Sequence, residues 1–255
     1  MSAAEIAKID LVIANRALAR MGAVDAYGHA SVRHPSEPGR FFISCSRSPQ
    51  LVTRDDIMEF DFDGVAIGAD NRPAYSERFI HASLYAARPD VHAVMHGHPL
   101  SLIPFSVGDI PVRPIFFTSD EFGDKVPVWD MRDEFGDGTD LLIRNKAHGD
   151  SLARAFGDLE RAVLMRGHGF AAAGRSAAHL MRICKALMEN ATVQLETMKF
   201  GKVTEMSPAE IAARRRTLGG LPEDHPSWMR GFEYEAAQVG LSELLAERAK
   251  LLASA

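Results

Sequence analysis

The stretch DVHAVMHGHPLSLIPF, residues 90 to 105, alternates apolar residues with three histidines and then breaks at a proline. Alternation with period two marks a β-strand, whose side chains point to opposite faces in turn. Positions 92, 94, 96 and 98 would then share a face. His96 and His98 lie roughly 6.6 Å apart along a strand, and two imidazoles at that spacing can converge on one ion through bonds of about 2.0–2.1 Å. His92 is roughly 13 Å from His96 on an extended chain, too far to share the ion. His96-Gly97-His98 is therefore read as a ligand pair and His92 as a bystander. H-x-H is short and also occurs in ordinary surface strands, so the pair needs companions.

Three features supply candidates. Glu77 stands near the start of a helix just before the histidine strand, where a carboxylate could serve as a ligand or proton shuttle, or simply favour the helix dipole. His168 lies between two glycines in LMRGHGF, at the end of an apolar strand. The glycines let the backbone bend and leave room for a ligand beside the imidazole. Together the histidines would make a three-histidine site with an open position for water or substrate. The polar stretches GHASVR and SCSRSP bring Ser31, Arg33, Ser44, Ser46, Arg47 and Ser48, which could cradle an anion or be ordinary loop chemistry.

The elements that must hold these residues can be read in outline. Ile6, Ile9, Val12 and Leu18 have helical spacing over residues 4 to 21, and a glycine turn then leads to short strands in AYGHASVRHP and RFFISCSRSP. Thr53 with acidic residues after it reads as a cap, followed by a strand and an Asp-Gly hairpin signal at 63–64. A helix runs from about Ser76 to Ala87 and is closed by Pro89. Residues 110 to 147 are loop-rich, with strands expected near VRPIFFT and KVPVWD. A helix, a strand, a turn and another strand follow through residue 174, then a long helix with Leu180, Ile183 and Leu187 in the core. His81, four residues after Glu77, shares its helix face and is either its partner or a core histidine. The tail from 207 to 255 is expected to be helical. Its aromatic patch, Trp228, Phe232 and Tyr234, either packs on the tail itself or covers a neighbour's site.

Composition narrows the class. Of 255 residues, 46% are hydrophobic and 25% charged, which predicts a sizeable core. The net charge of −5 offers no basic footprint for nucleic acid. No G-x-G-x-x-G or P-loop occurs, which argues against a nucleotide site. Cys45 and Cys184 stand in unrelated contexts, so no disulfide framework is expected and a reducing compartment fits. Nothing reads as a signal peptide or a membrane span, so the cytoplasm is the expected location.

The segments YGHASVR, SERFIHASLYAARPDVHAVMHGHP and VLMRGHGFAAAG, in this order, resemble the class II aldolase/adducin family over roughly residues 5 to 205. The resemblance implies an α/β fold, a three-layer α/β/α sandwich around a mixed sheet, over residues 1–210. Residues 211–255 would then be a helical tail on the same domain or on a neighbouring subunit. It also implies a homo-oligomer, a tetramer, with sites at subunit interfaces, and one divalent metal per subunit. Glu77, His96, His98 and His168 fall on the family's metal and acid–base positions. Histidine ligands suit Mn²⁺ or Zn²⁺, with Fe²⁺ and Co²⁺ as further candidates.

The departures from the aldolases are informative. His29 stands where many members have asparagine, and Arg47 stands where the aldolases have a Ser-Gly pair. A guanidinium can grip a planar carboxylate with two parallel hydrogen bonds. These segments are more similar to the family's decarboxylases of hydroxylated aromatic or pyridine dicarboxylates. That resemblance implies a metal-dependent, non-oxidative decarboxylase, a carbon–carbon lyase, with Glu77 as proton carrier and His29, Ser31, Ser44, Ser46 and Arg47 as substrate contacts. The alternative is a retro-aldolase, epimerase or dehydratase acting on a sugar phosphate or hydroxy-keto acid. A non-enzymatic adducin-like module need not keep the metal histidines, and this chain has all three.

Overall fold

The structure, a computed structural model, describes residues 2–123, 125–158, 160–218 and 225–254. Among them the chain runs α1 (Ser2–Arg20), β1 (His29–Arg33), β2 (Arg40–Ser44), β3 (Ile57–Asp61), α2 (Arg78–Ala87), β4 (Ala93–Gly97) and α3 (Ile103–Val107). It continues with β5 (Val128–Trp129), α4 (Arg132–Phe135), α5 (Lys146–Ala155), β6 (Ala162–Met165), β7 (Gly169–Gly174) and α6 (Ala177–Met198). Helices α7 (Pro208–Leu218), α8 (Pro226–Gln238) and α9 (Ser242–Ala253) complete it. Residues 219–224, inside the tail expected to be helical, lie outside the described residues.

The strands form one mixed sheet in the order β3-β2-β1-β4-β7-β6-β5. Every neighbouring pair is antiparallel except β5 and β6, which are parallel. Alternation along β4 divides the core in two. Ala93 and Met95 pack with Ile9 and Ile13 of α1 and Leu180, Ile183 and Leu187 of α6. Val94, on the opposite face, packs with Ile80 and Leu84 of α2 and Leu152 of α5. The result is the three-layer α/β/α sandwich that the resemblance implies. His96 falls on the α2 face by the same alternation.

Local chemistry sets the helix ends nearest the site. Arg88, just before Pro89, has φ −128° and ψ 92°, the extended conformation that a following proline ring favours, and it ends α2. Helix α5 begins earlier than expected because the Asn145 side chain accepts the His148 amide. Thr53 caps only a single 3-10 turn, Arg54–Asp56, with its amide and hydroxyl both donating to Asp56 at 2.8 and 2.7 Å.

The strand expected near VRPIFFT does not form, and α3 and α4 were not expected. Pro111 and Pro114 lack the amide donors a central strand needs. The pairing goes to two buried amides one turn apart on α6. Gln194 Oε1 accepts the Arg113 amide at 2.8 Å and Gln194 Nε2 donates to the Pro111 carbonyl at 2.9 Å. Asn190 Oδ1 accepts the Ile115 amide at 3.0 Å, and Asn190 Nδ2 donates to the Arg113 carbonyl at 2.8 Å. Side chains thus satisfy backbone groups that would otherwise be buried unpaired. The second expected strand of this region is short, only Val128–Trp129 of β5.

Helices α8 and α9 lie against α1. Arg248 donates to Asp10 at 2.5 Å, and Arg20 Nε donates to Glu235 at 2.8 Å. Trp228 and Phe232 are each 2% exposed within this chain, whereas Tyr234 is 58% exposed. No described helix is long and apolar enough to cross a membrane.

Candidate metal centre and active site

Four side chains from three parts of the chain meet at one end of the central strands. Glu77 immediately precedes α2, His96 lies in β4, His98 follows it directly, and His168 lies in the turn between β6 and β7. One ligand atom from each lies within 4.8 Å of all the others. The Nε2 atoms of His96 and His98 are 3.0 Å apart. Glu77 Oε2 is 3.5 Å from His96 Nε2 and 3.8 Å from His168 Nε2. Two glycines permit this closeness. A Cβ on Gly97 would lie 2.1 Å from the Ala23 carbonyl oxygen, and one on Gly169 would lie 2.3 Å from the Gly97 carbonyl oxygen.

The outer nitrogens fix what the inner ones can do. His96 Nδ1 is 3.0 Å from the Phe170 carbonyl, which only accepts, so Nδ1 carries the proton. His98 Nδ1 is 3.1 Å from Asp25 Oδ1, and an ionised carboxylate likewise only accepts. In the neutral rings both Nε2 atoms therefore present lone pairs to each other and to the Glu77 carboxylate. Acceptors gathered without a donor repel, and a cation between them removes the conflict. A ring whose second nitrogen donates to a carbonyl or carboxylate is the usual form of a metal-bound histidine. The donor set therefore fits one divalent ion, which Glu77, His96, His98 and His168 could hold. His168 departs from this form, since its Nδ1 makes no hydrogen bond of full geometry and the Leu141 backbone stands close to the ring.

Electrostatics agree with this picture. Burial alone would raise Glu77, but the neighbouring His96 and His168 rings, whenever they carry charge, and the Ile143 amide bring it down to about 2. Burial, aided by the neighbouring His96, holds His168 down to about 4. Burial also opposes ionisation of Asp25, yet the Tyr27 and Gly28 amides and His98 outweigh it and lower that carboxyl. At neutral pH the site then combines ionised carboxylates with uncharged His168.

A cavity of about 560 Å³ opens beside the cluster. Glu77, His98 and His168 line it together with His29, Ser46, Arg47, Ser48 and Tyr75. The sequence-derived candidates divide accordingly. His29, Ser46 and Arg47 reach the cavity. Arg47 donates one nitrogen to Asp56 at 2.9 Å and remains largely exposed. Ser31 and Ser44 are fully buried and do not line it. Ser31 Oγ contacts His81 Nδ1 at 2.6 Å, and Ser44 Oγ contacts the Tyr75 hydroxyl at 3.3 Å. Arg33 turns away and donates to the Val91, Tyr85 and Arg88 carbonyls. His92 is exposed and is not part of the cluster.

Several functional groups escape a reading of the sequence. Asp25 holds His98, yet a lone aspartate 73 residues away carries no spacing signal. Tyr75 joins the Arg47 loop by packing its ring, tilted by 45°, 4.4 Å from the His29 ring and by accepting the Arg47 amide at 3.3 Å. The Ile143 amide donates to Glu77 Oε1 at 3.0 Å, which leaves Oε2 for the cluster. A backbone donor has no residue-type signature. His81, left open above, is fully buried and hydrogen-bonded to His29 at 2.7 Å.

A mixed-sheet α/β/α sandwich with three histidines and a glutamate at the ends of its central strands defines the class of protein. Residues 9–195 match the Class II Aldolase and Adducin N-terminal domain, and the chain belongs to that family. Decarboxylase tropJ of Talaromyces stipitatus is 36% identical over 192 residues, covering 71% of this chain and 72% of the relative. The 3,4-dihydroxyphthalate decarboxylase of Arthrobacter keyseri is 28% identical over 233 residues, covering 86% and 89%. Among solved structures, an aldolase II superfamily protein from Pseudomonas syringae superposes with a TM-score of 0.77 at 21% identity, covering 95% of both chains. The protein is an enzyme of the lyase class.

Proposed function

We propose that this lyase is a metal-dependent, non-oxidative decarboxylase of a hydroxylated aromatic or pyridine dicarboxylate. The observation that carries the reading is the meeting of two opposite chemistries in the lining of one cavity. The His96, His98, His168 and Glu77 acceptors suit a cation, and Arg47, Ser46, Ser48 and His29 suit an anion. A volume of about 560 Å³ takes one substituted ring. The similarity to two relatives named as decarboxylases supports the carboxylate as the group that leaves.

His96, His98 and His168 would hold the ion, Mn²⁺ or Zn²⁺ before Fe²⁺ or Co²⁺. When bound it supplies a Lewis acid that stabilises negative charge on the substrate's oxygens as CO₂ departs. The protein's own groups do the rest. Arg47 has guanidinium nitrogens beyond the one given to Asp56, and these grip a carboxylate together with Ser46 and Ser48. Glu77 is ionised at rest, so it begins as a base. Its Oε2 takes the proton of the ring hydroxyl and returns it to the ring carbon that bears the leaving carboxylate. The C–C bond breaks, CO₂ departs, and the new C–H bond holds the transferred proton. Ile143 keeps Oε1 occupied, so one oxygen alone carries the proton.

A cytoplasmic homotetramer with sites at subunit interfaces accompanies this reading. Its support is Tyr27 and Leu100, which are 79% and 84% exposed, each two residues from a member of the Asp25–His98 pair. The function is tested by following CO₂ release and ring absorbance with Mn²⁺-loaded protein on hydroxyphthalates and hydroxypyridine dicarboxylates. A 2-keto-3-deoxy acid and a ketose phosphate serve as controls. CO₂ from one aromatic acid, abolished by a chelator, is the expected result. Aldehyde from a control with no CO₂ from any acid would overturn the reading in favour of an aldolase.

A further inference from the structure

From His29 in the cavity lining a buried row of polar side chains runs inward, and the chemistry above does not use the three residues behind it. His29 Nδ1 lies 2.7 Å from His81 Nε2. His81 Nδ1 lies 2.6 Å from Ser31 Oγ, and Ser31 Oγ lies 2.8 Å from the Tyr85 hydroxyl. All four residues are at most 1% exposed. The sheet register sets the row beside the cluster, since His29 pairs with His96 across β1 and β4. His81 and Tyr85 stand one turn apart on α2 and reach down onto that face.

The direction of the protons in this row follows from its blind end. Tyr85 has Ser31 as its side-chain partner, and the other group at its oxygen is the Val94 amide, itself a donor. The tyrosine proton therefore goes to Ser31 Oγ, since the opposite direction would bury a hydroxyl hydrogen with no acceptor. Ser31 then gives its own proton to His81 Nδ1. The neutral His81 ring keeps its proton on Nε2 and donates it to His29 Nδ1. The one proton of neutral His29 must then sit on Nε2, the nitrogen left for the cavity.

We propose that the Tyr85–Ser31–His81 row locks His29 in its Nε2–H tautomer, so that His29 donates a hydrogen bond to an anionic oxygen of the substrate. His29 thus contacts the substrate, and His81 is a positioning residue that acts through it. The carboxylate as the bound group rests on the decarboxylase reading, whereas the tautomer rests on the row alone. The same device explains why a histidine works where a loop donor is needed. An unlocked ring would spend part of its time presenting a lone pair, which repels a carboxylate.

The two claims separate experimentally. In Zn²⁺-loaded, ¹⁵N-histidine-labelled protein, long-range ¹H–¹⁵N spectra report which ring nitrogen of each histidine is protonated. The His29 signals are identified by their loss in His29→Gln. A protonated Nε2 and bare Nδ1 on His29 are expected. Protonation at Nδ1, or exchange between the two forms, would overturn the lock whatever the substrate proves to be. On the substrate found by CO₂ release, His81→Leu should raise KM by about tenfold or more, the loss of one hydrogen bond to a charged group. His81→Gln keeps an N–H donor for His29 Nδ1 and should restore most of that loss, which a merely structural role would not predict. An unchanged KM in His81→Leu would overturn the positioning role. If no acid in the panel is turned over, the decarboxylase reading fails, and the tautomer measurement still decides the lock.

Discussion

His96 Nε2 and His98 Nε2 lie 3.0 Å apart while the outer nitrogen of each ring is already committed to an acceptor, Phe170 and Asp25 respectively. Two bare nitrogens at that distance need a cation between them. The Asp25 bond should therefore matter for metal affinity although Asp25 lies outside the cluster. Asp25→Asn is expected to weaken binding by on the order of 10- to 100-fold, the usual effect of losing a ligand's orienting partner. Titration of the metal-free variant with Zn²⁺ checks this, and an affinity equal to the parent's would contradict it.

Glu77→Gln should leave the fold intact, because the amide oxygen can still accept from Ile143. It cannot carry a proton between the hydroxyl and the ring carbon. Turnover should fall by roughly 10²–10⁴-fold while the variant still folds and melts cooperatively. A variant that melts normally and turns over at the parent rate would remove Glu77 from the chemistry.

Acid should destabilise the metal-free protein in a defined window. Burial holds His81 down to about 3 and His168 down to about 4, against 6.5 for an ordinary histidine. The unfolded chain then binds more protons than the folded one between those values and 6.5. Stability is therefore fully present above 6.5 and falls as pH drops toward 4 and 3. Glu77 adds the same sign lower down, since its carboxyl at about 2 lies below the ordinary 4.5. Melting temperatures measured across this range should decline steadily, with a shallower slope in His81→Gln. A flat profile between 6.5 and 4 would contradict the buried, neutral state of these rings.

Gly97 is a test of the close packing that brings the cluster together. A Cβ there would meet the Ala23 carbonyl at 2.1 Å, two residues before Asp25, so Gly97→Ala must displace backbone. It should cost about 1–3 kcal/mol of stability and weaken metal binding as well. Gly231→Ala in α8 meets nothing within 4 Å and should stabilise by about 0.5–1 kcal/mol. Comparable melting temperatures for the two variants would refute the packing argument.

What the sequence shows of all this depends on how local each cause is. Pro89 ends α2 and the two-residue period marks β4, because both effects act within a few residues. The cluster histidines and Glu77 stand out by type and by their resemblance to a known family. The segment at 110–117 misleads because its β-branched and aromatic residues suggest a strand, while its pairing partners, Asn190 and Gln194, are some eighty residues away on α6. Ser31 misleads for a related reason. It reads as part of a polar loop, but His29 already opens β1, and strand alternation turns both side chains toward α2. Only the packing of α2 on β1 then reveals that Ser31 meets His81 and not the cavity.

The most direct measurement combines metal content and chemistry on one sample. Metal-free protein is titrated with Mn²⁺ while CO₂ release from the responsive hydroxy-dicarboxylate is followed, in parallel with His96→Ala and His168→Ala. The account predicts activity rising in proportion to bound metal, saturating at one ion per subunit, with both variants binding weakly and releasing no CO₂. Full CO₂ release without metal, or from either variant, would contradict it.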